Sequence, residues 1–418
     1  MASNVPNKLW THDFTIITLG SVVSMLGNAL SGFALSLLVL DMTGSSLYYA
    51  IFIAVFTLPQ MIMPIFSGAI LDRFSRKRMI YTLDFISSGL YALGGALYLL
   101  DCFNFPVLAV MCFIVGTINS VYTVAYQSFY PLLISDGNYS KAYSIASVLE
   151  TLAALMIPVS AFVYNALDMA PLLFINAFCF CIAAIFETRI RTDEKYIETQ
   201  KKNSENDGKS SVKRMLSDIK EGFIYLFGEK GLLAVAAYFT VLAFAGGASS
   251  VITLPYFKGN YENGEYVYMI VWGMSIVGRA IGGALHYKFK LPVKYKYAIA
   301  LSVYALSSVF EGLYLYFPVG VMMALCFCTG IFGVTSYTIR ISATQSYVPD
   351  EKKGRFNGAF TMLNTFGSFF GELIAGGLTE FIDVRFVLSG FMALNFIGAF
   401  LFIGLGKKSI KPIYNRQQ

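Results

Sequence analysis

Glu150 stands about nine residues into an apolar stretch at 142–166, roughly 14 Å deep at the 1.5 Å rise of a helix. If that stretch crosses a bilayer, the carboxyl lies near its middle, where an uncompensated charge is costly. Glu150 therefore has the chemistry of a proton-accepting or cation-recognising group, or of a structural carboxyl bonded to a neighbouring helix. Glu372 sits in the run Gly367-Ser-Phe-Phe-Gly371-Glu-Leu-Ile-Ala-Gly376. Those small residues argue for close helix packing, so gating or structure stands beside substrate contact as its role. Asp84 and Arg279 are expected near the cytoplasmic ends of their stretches, in charge pairs that hold an inner gate. Glu311 and Arg340 lie close to stretch ends, where long side chains snorkel to the interface. Asn28, Asn119, Gln127 and Asn364 are neutral hydrogen-bonding groups that would line a cavity or tie helices together.

The elements that must carry these groups are apolar runs of membrane-crossing length. They lie at about 14–40, 47–71, 79–100, 106–130, 142–166 and 170–187, then at 231–256, 264–286, 294–316, 319–342, 356–381 and 385–406. With 56% hydrophobic and 13% charged residues among 418 and a mean hydropathy of +0.62, the chain is expected to be an all-α integral membrane protein of twelve spans. The first run is too long for a cleaved signal segment and reads as the first span. Nearly all Lys and Arg fall on one side of the resulting layout, with only Lys258 and Arg385 on the other. Cytoplasmic loops carry such an excess, so both ends are expected in the cytoplasm and the protein in the plasma membrane. A nucleic-acid partner has no support in this pattern; the bilayer accounts for the cations.

The chain divides into an N-terminal six-helix bundle at 1–188, a polar linker at 189–230, a second bundle at 231–406 and a basic tail at 407–418. Within the linker, about 199–211 is expected to be disordered, while 212–227 has apolar residues at helical spacing and reads as an amphipathic surface helix. An offset of 214 residues lays Gly68-Ala-Ile-Leu on Gly282-Gly-Ala-Leu285 and Ser147-Val-Leu-Glu-Thr151 on Thr361-Met-Leu-Asn-Thr365. Two pseudo-symmetric halves of this kind would place a binding cavity at their interface.

Between the second and third runs the sequence reads Gly68-Ala-Ile-Leu-Asp72-Arg73-Phe-Ser-Arg76-Lys77-Arg78. This G-x-x-x-D-R-x-x-R-K pattern resembles the loop between helices 2 and 3 of major facilitator superfamily transporters, with Gly68, Asp72, Arg73, Arg76 and Lys77 on the motif positions and Ser75 where glycine is usual. The resemblance implies the two-bundle fold, alternating access, and a latch on the cytoplasmic side formed by this loop. Span layout, the long linker, Thr43-Gly-Ser45 and Pro131-Leu-Leu-Ile-Ser-Asp136 resemble bacterial exporters of the macrolide-efflux type. Two departures concern mechanism. No cation occurs from Cys112 to Tyr130, where many proton-coupled antiporters of the family carry an arginine. Their glycine-proline motif survives only as Ile157-Pro158-Val-Ser-Ala161.

The expected function is secondary transport of a small-molecule substrate, export of amphipathic drug-like compounds, driven by an ion gradient, protons among the candidates, or by the substrate's own gradient. Uptake or exchange of a small metabolite, and a non-transporting sensor, are the rival readings. An ATP-driven pump is excluded by the missing G-x-x-x-x-G-K-[ST] loop. Cys179 with Cys181 and Cys326 with Cys328 cannot chelate one ion, since positions i and i+2 point apart on a helix. With His12 and His286 as the only histidines, no nucleophile and base can be assembled, and neither an enzyme nor a cofactor is expected.

Overall fold

A computed structural model describes residues 8–71, 75–135, 158–192, 211–288 and 291–415, with residues 142, 145, 149 and 156. The described residues hold no strand. Hydrocarbon offers no water to a backbone N–H or C=O, so each spanning segment must satisfy its own polar groups as a helix. The elements are α1 (His12–Thr43), α2 (Ser46–Leu71), α3 (Arg76–Leu99), α4 (Phe105–Phe129), α5 (Met169–Thr188), α6 (Ser211–Gly228), α7 (Lys230–Asn260), α8 (Gly264–Lys288), α9 (Lys296–Leu313), α10 (Val319–Tyr347), α11 (Asp350–Leu378), α12 (Val384–Gly398) and α13 (Lys407–Tyr414). Nine of the described helices are long and apolar enough to cross a membrane. Two more, α3 and α11, have the length but carry more polar residues, and the first part of the expected span at 142–166 falls largely outside the described residues, while 158–166 is helical. Large apolar side chains on these helices stand in the open, among them Phe178 (67% exposed) and Phe386 (65%). That is the surface a lipid-facing helix needs.

Helix ends are set by local caps. Thr11 accepts from Phe14 N at 3.2 Å, Ser75 from Arg78 N at 3.1 Å and Asn104 from Val107 N at 3.1 Å. Each satisfies a first-turn donor that has no partner within its own helix. At the far end of α1, Gly44 takes a φ of 61° and returns its N–H to Leu40 O at 2.8 Å. A left-handed cap of this kind is cheap only for glycine.

The helices group into two units, Met1–Gly44 with Val55–Met215, and Ser45–Ala54 with Leu216–Gln418. In the first, α5 packs on α3 and α1, and α3 on α4. In the second, α7 packs on α11, α8 on α10 and α9 on α12. Ser45–Ala54 belongs to the second unit through the Ser45 hydroxyl, which donates to Glu380 Oε1 at 2.5 Å, and through Ala50 against Gly376.

Three additions to the second unit were not all legible in the sequence. Helix α6 is the amphipathic part of the linker. It buries Leu226 and pairs Glu221 with Arg355 at 2.7 Å, while Ile224 and Phe227 stay exposed. The tail at 407–418 is not simply a basic extension: α13 buries Ile410, Ile413 and Tyr414, and the Tyr414 hydroxyl meets that of Tyr304 at 3.0 Å. Beyond α12 the helix widens into a π turn, Ala399–Gly404. The Tyr297 hydroxyl donates to Ile403 O at 2.8 Å, capturing a carbonyl that the wider turn loosens.

The α7–α11 seam is backbone on backbone. A Cβ on Gly371 would come 1.9 Å from Phe244 O, one on Gly247 2.2 Å from Ser368 O, and one on Gly367 2.5 Å from Thr240 O, whereas one on Gly377 meets nothing within 4 Å. Gly371→Val should therefore lower stability by about 1–3 kcal/mol, and Gly377→Ala should leave it unchanged or raise it, because alanine favours the helix. Thermal unfolding of the detergent-solubilised variants measures both; equal losses would show that the seam is not this tight.

Candidate functional site

In the first unit the buried polar groups converge where α1, α3, α4 and α5 meet. Asp84 lies eight residues into α3, about 12 Å from its start, and is 1% exposed. Glu187, in the last turn of α5, is 0% exposed. The two carboxyls lie within hydrogen-bonding reach of each other, and the Tyr122 hydroxyl of α4 donates to Glu187 Oε1 at 3.4 Å. Space for Glu187 comes from Gly20 on α1, whose added Cβ would stand 3.2 Å from Oε1. One turn on along α4, the Tyr126 oxygen accepts from Ser21 Oγ at 3.0 Å. Deeper on the same face of α5, Asn176 donates to Ser31 Oγ at 2.6 Å. The partner the structure gives Asp84 is thus a second acid, where the sequence led us to expect a cation.

Two of the basic residues after α2, Arg76 and Lys77, act on helix ends. Arg76 donates to Ser128 O at 3.0 Å and Lys77 to Ile190 O at 3.1 Å. A cation at the carbonyl end of a helix is favoured by the dipole there. Arg76 and Lys77 therefore bind α3 to the ends of α4 and α5. Gly68 lies in α2, while Asp72, Arg73 and Glu150 lie outside the described residues.

In the second unit Arg279 is exposed. Glu372 is 5% exposed and accepts from Ser368 Oγ at 3.0 Å. Asn395 donates to Ser308 Oγ at 2.9 Å, and the Tyr314 hydroxyl donates to Thr253 Oγ1 at 3.3 Å. Arg340, expected to be a boundary anchor, is instead held among rings. Its guanidinium carbon lies 4.7 Å from the Phe360 centroid, 5.1 Å from Phe239 and 5.4 Å from Tyr337. At the start of α12, hydrogen bonds from the Arg385 side chain hold the Asp383 carboxyl below the usual carboxylate range.

Of the neutral candidates, Asn28 and Gln127 are exposed, while Asn119 and Asn364 are half-buried. The structure does not gather these four into one site within either unit. No group of three or more metal-ligating side chains occurs among the described residues.

The model of the Major Facilitator Superfamily matches residues 17–372. The chain belongs to that superfamily. It is 21% identical over 296 residues to an uncharacterised MFS-type transporter, YkuC of Bacillus subtilis, covering 68% of each chain. Macrolide efflux protein A of Streptococcus pyogenes is 23% identical over 282 residues, 66% of each chain. Among solved structures, the nucleoside transporter NupG superposes with a TM-score of 0.65 at 14% identity, covering 95% of this chain and 99% of that one. At that identity the likeness speaks for the fold alone.

Sequence reasoning did not single out Glu187. Its place at the edge of an apolar run reads as an ordinary boundary residue, and only the packing of α5 on α3 brings it to Asp84. The arginine cage was half visible, since Tyr337 and Arg340 are three apart on one helix face, but Phe239 and Phe360 come from α7 and α11. A lysine lacks the planar cation that stacks on such rings. Arg340→Lys should lower stability by about 1 kcal/mol, read as a lower unfolding midpoint; an unchanged midpoint would show that the rings do not hold the charge.

Proposed function

We propose that this membrane transporter exports amphipathic, drug-like compounds across the plasma membrane by alternating access of its two bundles. The observation that carries the reading is the similarity to macrolide efflux protein A over 282 residues, 66% of each chain. The character of the buried groups supports it. Among the described residues the buried acids are Asp84, Glu187 and Glu372, while Arg340 is occupied by aromatic rings and Arg279 stands exposed on α8. An exporter of lipophilic cations needs that balance, whereas an anion importer would need free central cations. In this reading Gly68, Asp72, Arg73, Arg76 and Lys77 form the cytoplasmic latch, Glu150 and Glu372 are the coupling or substrate carboxyls, and Asn28, Asn119, Gln127 and Asn364 offer neutral contacts to substrate. The driving force is the proton gradient.

The test is transport in inside-out membrane vesicles, following a fluorescent lipophilic cation with macrolides as competitors under an imposed proton gradient. Vesicles carrying the protein should accumulate the dye, uncoupler should abolish the accumulation, and Glu150→Gln or Glu372→Gln should reduce it at least tenfold at equal protein level. Absence of accumulation across a broad panel of amphipathic compounds, or movement only in the uptake direction, would overturn the export reading.

A further inference from the structure

The Asp84–Glu187 pair serves neither the latch nor the substrate contacts assigned above. Its surroundings are unusual for helix glue. Along the α1–α5 seam, Asn176 meets Ser31, and eleven residues on along α5, with eleven residues back along α1, Glu187 meets Gly20. Eleven residues are three helical turns, so both levels lie on one face. The first level is tied by a neutral amide and a hydroxyl. At the second, α1 supplies a glycine, and the hydroxyl of the adjacent Ser21 donates to Tyr126.

The groups that face the pair are few. From α4 come Tyr122, bonded to Glu187, and Tyr126, bonded to Ser21. From α1 come Gly20 and Ser21, neither of them ionisable. On α3 the nearest cations are Arg78, six residues from Asp84 and exposed, and Lys77 and Arg76, about two turns away, which donate to the carbonyls of Ile190 and Ser128. Neither carboxyl joins a salt bridge among the described residues. One oxygen of each, Asp84 Oδ2 and Glu187 Oε2, is buried without any partner.

An ionised carboxylate only accepts hydrogen bonds, so two that approach each other without a cation need a proton between them. Like charges this close in a water-poor site cannot both remain ionised. We propose that Asp84 and Glu187 form a proton-binding site, with one proton held between the two carboxyl groups and exchanged with solvent when α3 and α5 separate. One proton binds and one leaves; no other bond changes. A carboxyl group that carries this proton can donate where two carboxylates could only accept. As the coupling site of transport the assignment rests on the proposed function; as a proton site it does not.

Infrared spectroscopy of the purified, detergent-solubilised protein tests it without any substrate. At neutral pH the wild type should show the carbonyl stretch of a protonated carboxylic acid, losing intensity as the pH is raised. Asp84→Asn and Glu187→Gln should each change that band, and the double variant should lose the pair's share of the titrating component, leaving that of Glu150 and Glu372. Tyr122→Phe keeps both acids and the packing ring but removes a hydrogen bond to Glu187, so it should shift the band even if the other variants fail to fold. Absence of the band in the wild type, or a band unaltered in all the folded variants, overturns the proposal. If the band behaves as expected while vesicles move no substrate, the proton site stands and the export reading fails. If proton-driven transport persists in Asp84→Asn and Glu187→Gln with an unaltered band, export stands and this site falls.

Discussion

Hydrocarbon supplies no hydrogen-bond partners, and the rest of the structure follows from that. Backbone groups are satisfied within helices, and where the ladder widens after Gly398 a tyrosine hydroxyl from α9 takes up the loosened carbonyl. Side chains obey the same rule in different ways. Asn176 and Asn395 each find a serine hydroxyl on a neighbouring helix. Arg340 is surrounded by aromatic faces, which stabilise a cation without adding a second charge. Asp84 and Glu187 have only each other and a tyrosine, and a shared proton is what makes that arrangement compatible with burial.

The same constraint explains where helices can slide and where they cannot. Between helices in lipid there is little hydrophobic driving force, so close backbone approach through small residues does the packing. The α7–α11 seam is of this kind, with Gly247, Gly367 and Gly371 each facing a carbonyl of the opposing helix. The ends of α4 and α5 are held otherwise, by Arg76 and Lys77 reaching to single carbonyls.

Most span boundaries were legible because the change from apolar to polar residues coincides with a cap. The run read at 106–130 is the helix Phe105–Phe129, opened by Asn104 and Pro106. The reading failed where charge was taken as the end of a helix. The run at 356–381 begins as a helix at Asp350, because Arg355 is paired with Glu221 of the linker helix and Pro349 favours a helical start. In the same way Lys407, Lys408 and Lys411 hid the buried stripe Ile410, Ile413, Tyr414. The site was less legible than the fold. A sequence locates Asp84, Glu187 and Arg340 along the chain, but their partners lie on other helices, and hydropathy carries no information about which helices touch.

The central claim, that protons drive export through buried acids, is tested most directly by substrate-evoked proton flux. The purified protein would be sealed in liposomes with a trapped pH indicator and an imposed proton gradient, and an amphipathic cation then added. The account predicts an immediate proton movement opposite to the substrate, absent from liposomes without protein and absent when uncoupler has already collapsed the gradient. Substrate that crosses with no change in internal pH would contradict it, since transport would then be downhill and the buried acids no part of the coupling.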